Sequence, residues 1–173
     1  MLNPLEMYVI RQVCYNKTNT PSVNPFRMLP TLKVKRFDTS LPMPEYQTEG
    51  SVGIDLYARV ETTLKPQEIV RIPLNVALKL PEGYWGLLAA RGSLHKKGLA
   101  PMNGLGIFDS DYCGDGDEYH GLIINLGSQS VTVEKGERIM QVVLIPKVLA
   151  TIEEVTTMTA PDRGGFGSTG THA

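Results

Sequence analysis

An all-β domain is the fold class this chain predicts. Three observations carry the prediction: many short apolar runs separated by Gly, Pro and Asn, period-two alternation within one of them, and no long 3.6-residue periodicity. In chain order, strands are expected over 32–37, 68–72, 76–80, 84–89, 122–126 and 138–145. In the third of these, Val76, Leu78 and Leu80 alternate with Ala77 and Lys79, the pattern of a half-buried strand. Residues 93–97 have room for one or two helical turns. The Asn103–Gly104 pair signals a tight β-hairpin turn, leading into the apolar run before Asp109. Many short strands around one core imply a sandwich, a jelly roll or a barrel.

Composition agrees with one soluble globular domain. The chain has 173 residues, 42% hydrophobic and 20% charged, enough for a sizeable core. A net charge of −1 gives no electrostatic case for binding nucleic acid or a membrane surface, and no apolar run reaches bilayer length. Cys14 and Cys113 stand far apart without CxxC spacing, and His95, His120 and His172 are scattered, so neither a disulfide scaffold nor a protein-ligated transition metal is expected. Residues 1–30 differ in character, with Pro4, Pro21, Pro25 and Pro30 and a single acid, Glu6. They lack the apolar core of a secretory signal. Arg11, Lys17 and Arg27 suit a transit peptide, but the segment is serine-poor and proline-interrupted. The preferred reading is an extension of phage or bacterial type, or an upstream start with Met28 as initiator, in a cytoplasmic protein of a bacterial or phage-infected cell.

Two segments carry chemistry. RGGFGSTG at 163–170 combines a cation, four glycines, one ring and two hydroxyls. Glycine lets main-chain N–H groups approach a phosphate closely. Arg163 adds a forked charge, and Ser168 and Thr169 add hydroxyl donors. Phe166 has no core to enter and suits stacking on a nucleobase; the bland alternative is a Gly/Ser/Thr tail with a stray ring. Upstream, GIFDSDYCG at 106–114 packs two acids and a tyrosine behind a strand-like run, as a general base on a rigid element or as an ordinary polar turn.

The order of segments joins them. EGSVGIDLYA (49–58), ARGSLHKKGL (90–99), NGLGIFDSDYCG (103–114), GERIMQVVLIP (136–146) and RGGFGSTG (163–170) occur in sequence. This resembles the five ordered motifs of the trimeric deoxyuridine triphosphatase (dUTPase) family, from about residue 32 to residue 171. The resemblance implies a distorted, jelly-roll-like β-barrel of the β-clip type, assembled as a homotrimer with a flexible C-terminal arm. The chain then divides into an extension (1–30), a β domain (31–160) and a nucleotide-closing arm (161–173).

The resemblance also implies hydrolysis of dUTP to dUMP and pyrophosphate with Mg²⁺, which limits uracil in DNA and supplies dUMP for dTMP synthesis. Asp109 matches the carboxylate that orients and deprotonates the attacking water, and Asp55 the acid that holds the metal's water shell. Asn103, with the backbone of Gly104, Gly106 and Ile107, matches the uracil pocket. Tyr112 matches the ring beneath the deoxyribose that leaves no space for a 2′-hydroxyl. Arg91, Gly92 and Ser93 in the second motif, Arg138 and Gln141 in the fourth, and Arg163, Phe166, Gly167, Ser168 and Thr169 in the fifth match the nucleotide-binding set. In the family, the site lies between subunits and the arm closes over nucleotide at a neighbour.

Three departures stand out. Gly92 occupies the place where the second motif usually has serine, with Ser93 following. The fifth motif is short between Arg163 and Phe166. The loop at 114–121 is long, and its Asp115, Asp117 and Glu118 read as an exposed loop in preference to a cation site. Leu122–Ile123–Ile124–Asn125 lacks the glutamate that a related dCTP deaminase requires. A dUTP-sensing module, with a regulatory protein partner on the N-terminal segment or the 114–121 loop, is the alternative of a different class.

Overall fold

The structure is a computed structural model that describes residues 13–15, 21–23 and 29–164. Its strands are β1 (Val13–Tyr15), β2 (Pro21–Val23), β3 (Lys33–Arg36), β4 (Gly53–Tyr57), β5 (Thr62–Leu64), β6 (Ile69–Pro73), β7 (Val76–Lys79), β8 (Tyr84–Ala90), β9 (Leu99–Pro101), β10 (Gly106–Phe108), β11 (His120–Asn125), β12 (Val131–Val133) and β13 (Arg138–Pro146). One turn of 3-10 helix, Leu94–Lys97, falls where the sequence allows it. Every pairing is antiparallel. The chain is all-β, as expected.

A four-stranded sheet ordered β10-β8-β13-β4 and a three-stranded sheet ordered β6-β11-β9 carry most of the pairing, with two-stranded ladders β12-β5, β3-β7 and β1-β2. Between them lies one apolar cluster that includes Leu56, Leu64, Ile72, Leu74, Leu78, Ile123, Ile139 and Val142, all buried. β13 is the axis of the larger sheet. Its run RIMQVVLIP pairs with β8 on one side and β4 on the other, and such a two-sided position selects the β-branched and apolar residues found there.

All six expected strands form, with ends shifted by a few residues. β4 was hidden because its five residues, GIDLY, are all buried and show no alternation. β7 departs from the half-buried pattern in the same way: Ala77, expected outward, is only 5% exposed.

The tight hairpin at Asn103–Gly104 is a correction. β9 pairs with β11 and β10 pairs with β8, so the intervening segment carries the chain from one sheet to the other. A two-residue hairpin needs φ > 0 at both Asn and Gly. Gly104 has φ +69°, but among the described non-glycine residues only Gln67 and Asn75 are in that region. The turn is closed instead by Gly104 N–H to Pro101 O at 3.2 Å, and the Met102 N–H donates to Leu122 O on β11 at 2.8 Å.

Asn75 makes the joint between β6 and β7. It is buried at φ +68°. Its Oδ1 accepts the Asp38 N–H at 2.6 Å and its Nδ2 donates to the Asp38 carbonyl at 3.0 Å. Asp38 is itself fixed by Lys135 at 2.7 Å. Hydrogen bonds from that ammonium and from Ser40 hold its carboxyl well below the usual carboxylate range.

Candidate active site

Three of the sequence segments meet on β13. Gln141 stands opposite Asp55 of β4 and opposite Ala89 of β8, two residues before Arg91. The β13–β4 register shifts between Arg138 and Met140, a bulge of the kind that re-aims a side chain. Arg138 thereby reaches the carboxylate of Asp55.

Asp55 is buried, 5% exposed. Its Oδ1 accepts Arg91 Nε at 2.9 Å and its Oδ2 accepts Arg138 Nη1 at 3.1 Å. Arg91 Nη1 also donates to the Arg138 carbonyl at 3.3 Å, and Arg138 Nη1 donates to Gln47 Oε1. Gln141 Nε2 donates to the Ala90 carbonyl at 3.1 Å. Gly53 lies against this amide: a Cβ there would come within 2.2 Å of Gln141 Oε1, so a larger residue would make the glutamine side chain shift. Gln47, Ser51, Gly53, Asp55, Arg91, Gly92 and Gln141 line an open cleft of about 260 Å³.

Two guanidinium groups on one carboxylate leave a net positive site with rigid forks of donors. That arrangement recognises phosphate oxygens. Gly92 lies on the cleft. Ser93 is exposed at the start of the 3-10 turn and makes no side-chain cap bond.

The third segment gathers elsewhere. Asn103 and Gly104 are exposed, and Gly106 packs against Leu88 so closely that a Cβ would meet it at 3.1 Å. Ile107 is 71% exposed. Asp109 is exposed at the end of β10, and its carbonyl accepts the Tyr112 N–H at 3.2 Å. Phe108 stacks on Tyr119 with centroids 3.7 Å apart, and Tyr112 tilts against both, at 5.6 and 5.9 Å. The Tyr112 hydroxyl donates to the Glu118 carbonyl at 3.2 Å. Tyr119 is fully buried with an unpaired hydroxyl, and burial pushes its pKa up.

The strand register keeps Asp109 away from the cleft of its own chain. Phe108 stands opposite Gly86, so Asp109 falls level with Trp85. That is six residues along β8 from Arg91, about 20 Å at strand spacing. Arg163 lies in an exposed coil, and Phe166, Gly167, Ser168 and Thr169 fall outside the described residues.

The loop at 114–121 is exposed over Gly114–Gly116, as the sequence suggests, but Glu118 departs from that expectation. Glu118 is buried, 6% exposed, because Arg59 meets it through two hydrogen bonds, Nε to Oε1 at 2.8 Å and Nη2 to Oε2 at 2.9 Å. Asp117 accepts the Gly114 N–H at 2.6 Å within the loop, while Asp115 pairs with Lys35 at the surface. Sequence reasoning missed Arg59 and Gln47 altogether. Their contacts join residues 59 and 91 positions apart, and no local pattern signals such a pair.

Comparison with known proteins gives one answer. The family model "dUTPase" matches residues 39–170. The deoxyuridine 5'-triphosphate nucleotidohydrolase of Aquifex aeolicus is 44% identical over 147 residues, spanning 81% of this chain and 96% of its own. That of a Thermoanaerobacter species is 40% identical over 146 residues, spanning 80% and 97%. Among solved structures, a point mutant of the Staphylococcus bacteriophage 80alpha dUTPase with dUpNHpp superposes with a TM-score of 0.72 at 27% identity, covering 82% of this chain and 99% of the phage chain. The Streptococcus mutans dUTPase gives 0.62 at 28% identity, covering 68% and 98%. The match runs through the strands that hold Asp55, Arg91, Arg138 and Gln141 as well as the Asp109 loop, and the chain therefore belongs to the dUTPase family.

Proposed function

We propose that this chain hydrolyses dUTP to dUMP and pyrophosphate. The observation that carries the reading is the buried Asp55 carboxylate holding Arg91 and Arg138 side by side on an open cleft. The pair is a preorganised receptor for a polyphosphate: the forks are already oriented and lose little freedom on binding. Water attacks the α-phosphorus, and the bond from that phosphorus to the oxygen bridging the β-phosphate breaks. Pyrophosphate departs with the bond's electron pair, and Asp109 takes the water's proton. An ionised aspartate is a weak base, so most of the acceleration comes from positioning and from neutralising phosphate charge.

Mg²⁺ is the cation this chemistry takes. Among the described residues no group of three or more His, Cys, Asp or Glu side chains forms a cage. Both Asp55 oxygens accept from arginines, and each keeps a lone pair. This donor set fits a hydrated ion carried by the triphosphate, with Asp55 accepting from its waters. Once bound, such an ion neutralises charge on the phosphate oxygens.

Base choice falls to Asn103 and the backbone of Gly104, Gly106 and Ile107. Uracil offers a donor at N3 where cytosine offers an acceptor, and each polar group left unpaired costs about 1–3 kcal/mol. Tyr112 filters the sugar. The separation of Asp109 from Arg91 supports a homotrimer in which one subunit's Asp109 loop completes a neighbour's cleft. The exposed apolar residues beside that loop, Leu105 and Ile107, suit burial there. The arm from Arg163 to Thr169 would then close over the nucleotide and exclude water.

A dUTP-sensing module is the second reading. Gly92 keeps it open, since the serine usual at this place of the second motif is replaced there. Phage dUTPases such as that of 80alpha control transfer of virulence genes by a proto-oncogenic G protein-like mechanism. Pyrophosphate release with Mg²⁺, compared across dUTP, dCTP, dTTP and UTP, separates the readings. Selective release from dUTP is expected, and tight dUTP binding without release would establish the sensor. Asp109→Asn should keep nucleotide binding and lose about 10³-fold in kcat; unchanged turnover would remove Asp109 from the mechanism.

A further inference from the structure

Tyr112 is tethered to the body of the protein by its hydroxyl, through the 3.2 Å hydrogen bond to the Glu118 carbonyl. That carbonyl sits on an unusually constrained residue. The Glu118 side chain accepts three hydrogen bonds: Arg59 Nε and the Asn75 N–H on Oε1 at 2.8 and 3.0 Å, and Arg59 Nη2 on Oε2 at 2.9 Å. On the backbone, the next residue is laced to the joint between β6 and β7, with Tyr119 N–H to Val76 O and Leu74 N–H to Tyr119 O, both at 2.8 Å. The same Glu118 carbonyl also lies 2.8 Å from His120 Nδ1.

We propose that the Arg59–Glu118 pair is the positioning device for Tyr112, and through it sets the preference for deoxyribose over ribose. The inference rests on the dUTPase reading and deepens it. A steric filter against one hydroxyl works only if the ring is held within a fraction of an ångström of its place, and a displacement of about 1 Å can cost two orders of magnitude. The ring packs on the edge of the core and makes tilted contacts with Phe108 and Tyr119, which are not directional, whereas the hydroxyl tether is and fixes the ring along its long axis. A buried ion pair adds little net stability over apolar residues of similar size. What the bidentate Arg59 fork supplies is one fixed location for the Glu118 main chain. Arg59 and Glu118 are positioning residues and touch no substrate.

The test compares kcat/KM for dUTP and UTP on the full chain. The ratio of the two is independent of how much of a preparation is folded, so general destabilisation does not move it. Glu118→Gln keeps an acceptor for Asn75 and gives up the charged fork; it should lower the dUTP/UTP ratio at least tenfold. Arg59→Lys keeps the charge without the fork, should shift the ratio in the same direction, and serves if Glu118→Gln does not accumulate. Tyr112→Phe, which keeps the ring and removes the tether, should reproduce the loss, and the Tyr112→Phe/Glu118→Gln double variant should lose no more than Tyr112→Phe alone. A ratio within twofold of wild type in Glu118→Gln and Arg59→Lys, or additive losses in the double variant, overturns the proposal. If the wild-type chain itself hydrolyses dUTP and UTP alike, the sugar-filter reading of Tyr112 falls and this inference falls with it.

Discussion

Gly92 has the space for the side chain that the second motif usually carries. A Cβ built there meets nothing within 4 Å, and its φ is outside the left-handed region, so a serine fits without strain. The residue lines the cleft beside Arg91. A hydroxyl at this point gains a hydrogen bond to a phosphate oxygen, worth about 1 kcal/mol or roughly fivefold in affinity. Gly92→Ser should therefore raise kcat/KM for dUTP about fivefold, chiefly through a lower KM, in steady-state kinetics. No change would mean that Ser93 already makes the contact. Asp55 illustrates the complementary point: an acid that the family resemblance pairs with metal water accepts an arginine on each oxygen, and these bonds fix where both guanidinium groups lie.

Elements meet at joints, and the one between β6 and β7 is the most exacting. Asn75 adopts φ +68°, which costs a non-glycine residue without a local partner about 1–2 kcal/mol, and its amide closes two hydrogen bonds on Asp38. Asn75→Ala should destabilise by about 3 kcal/mol in denaturant unfolding at fixed protein concentration, strain and lost bonds together. Asn75→Gly keeps the backbone conformation and should cost clearly less; equal losses would show that the hydrogen bonds alone matter. This joint also explains what was legible. The strands at β8 and β13 could be read because apolar runs bounded by Gly and Pro are local signals. The motifs could be read because nucleotide chemistry concentrates Gly, Asp and Arg within a few residues. β4 was illegible because Asp55 is as buried as its apolar neighbours. The strands flanking Asn103–Gly104 were read as paired because propensity reports a turn and says nothing of which sheet each strand joins. The pairing of Arg59 with Glu118 was invisible, since nothing near residue 59 announces a partner at 118.

For the whole molecule the decisive relation is between the cleft and the Asp109 loop. Within one chain they are offset along β8 by about 20 Å, too far for a carboxylate to activate a water at phosphates held by Arg91 and Arg138. If copies assemble so that each cleft borrows its Asp109 from a neighbour, two inactive variants complement each other. Asp109→Asn subunits retain an intact cleft, and Arg91→Ala subunits retain an intact base. After subunit exchange at equal amounts, a site works when its cleft comes from the first and its base from the second. Each condition is met half the time, so random mixing should restore about a quarter of wild-type turnover. The check is pyrophosphate release from the separately purified variants, then from the pair unfolded and refolded together, with the oligomeric state followed by light scattering. Activity restored only in the co-refolded sample, and only where mixed oligomers form, is the expected outcome. Mixed oligomers without activity would place Asp109 and Arg91 of one chain in the same site, and would require the Asp109 loop to swing across the sheet on which it is drawn.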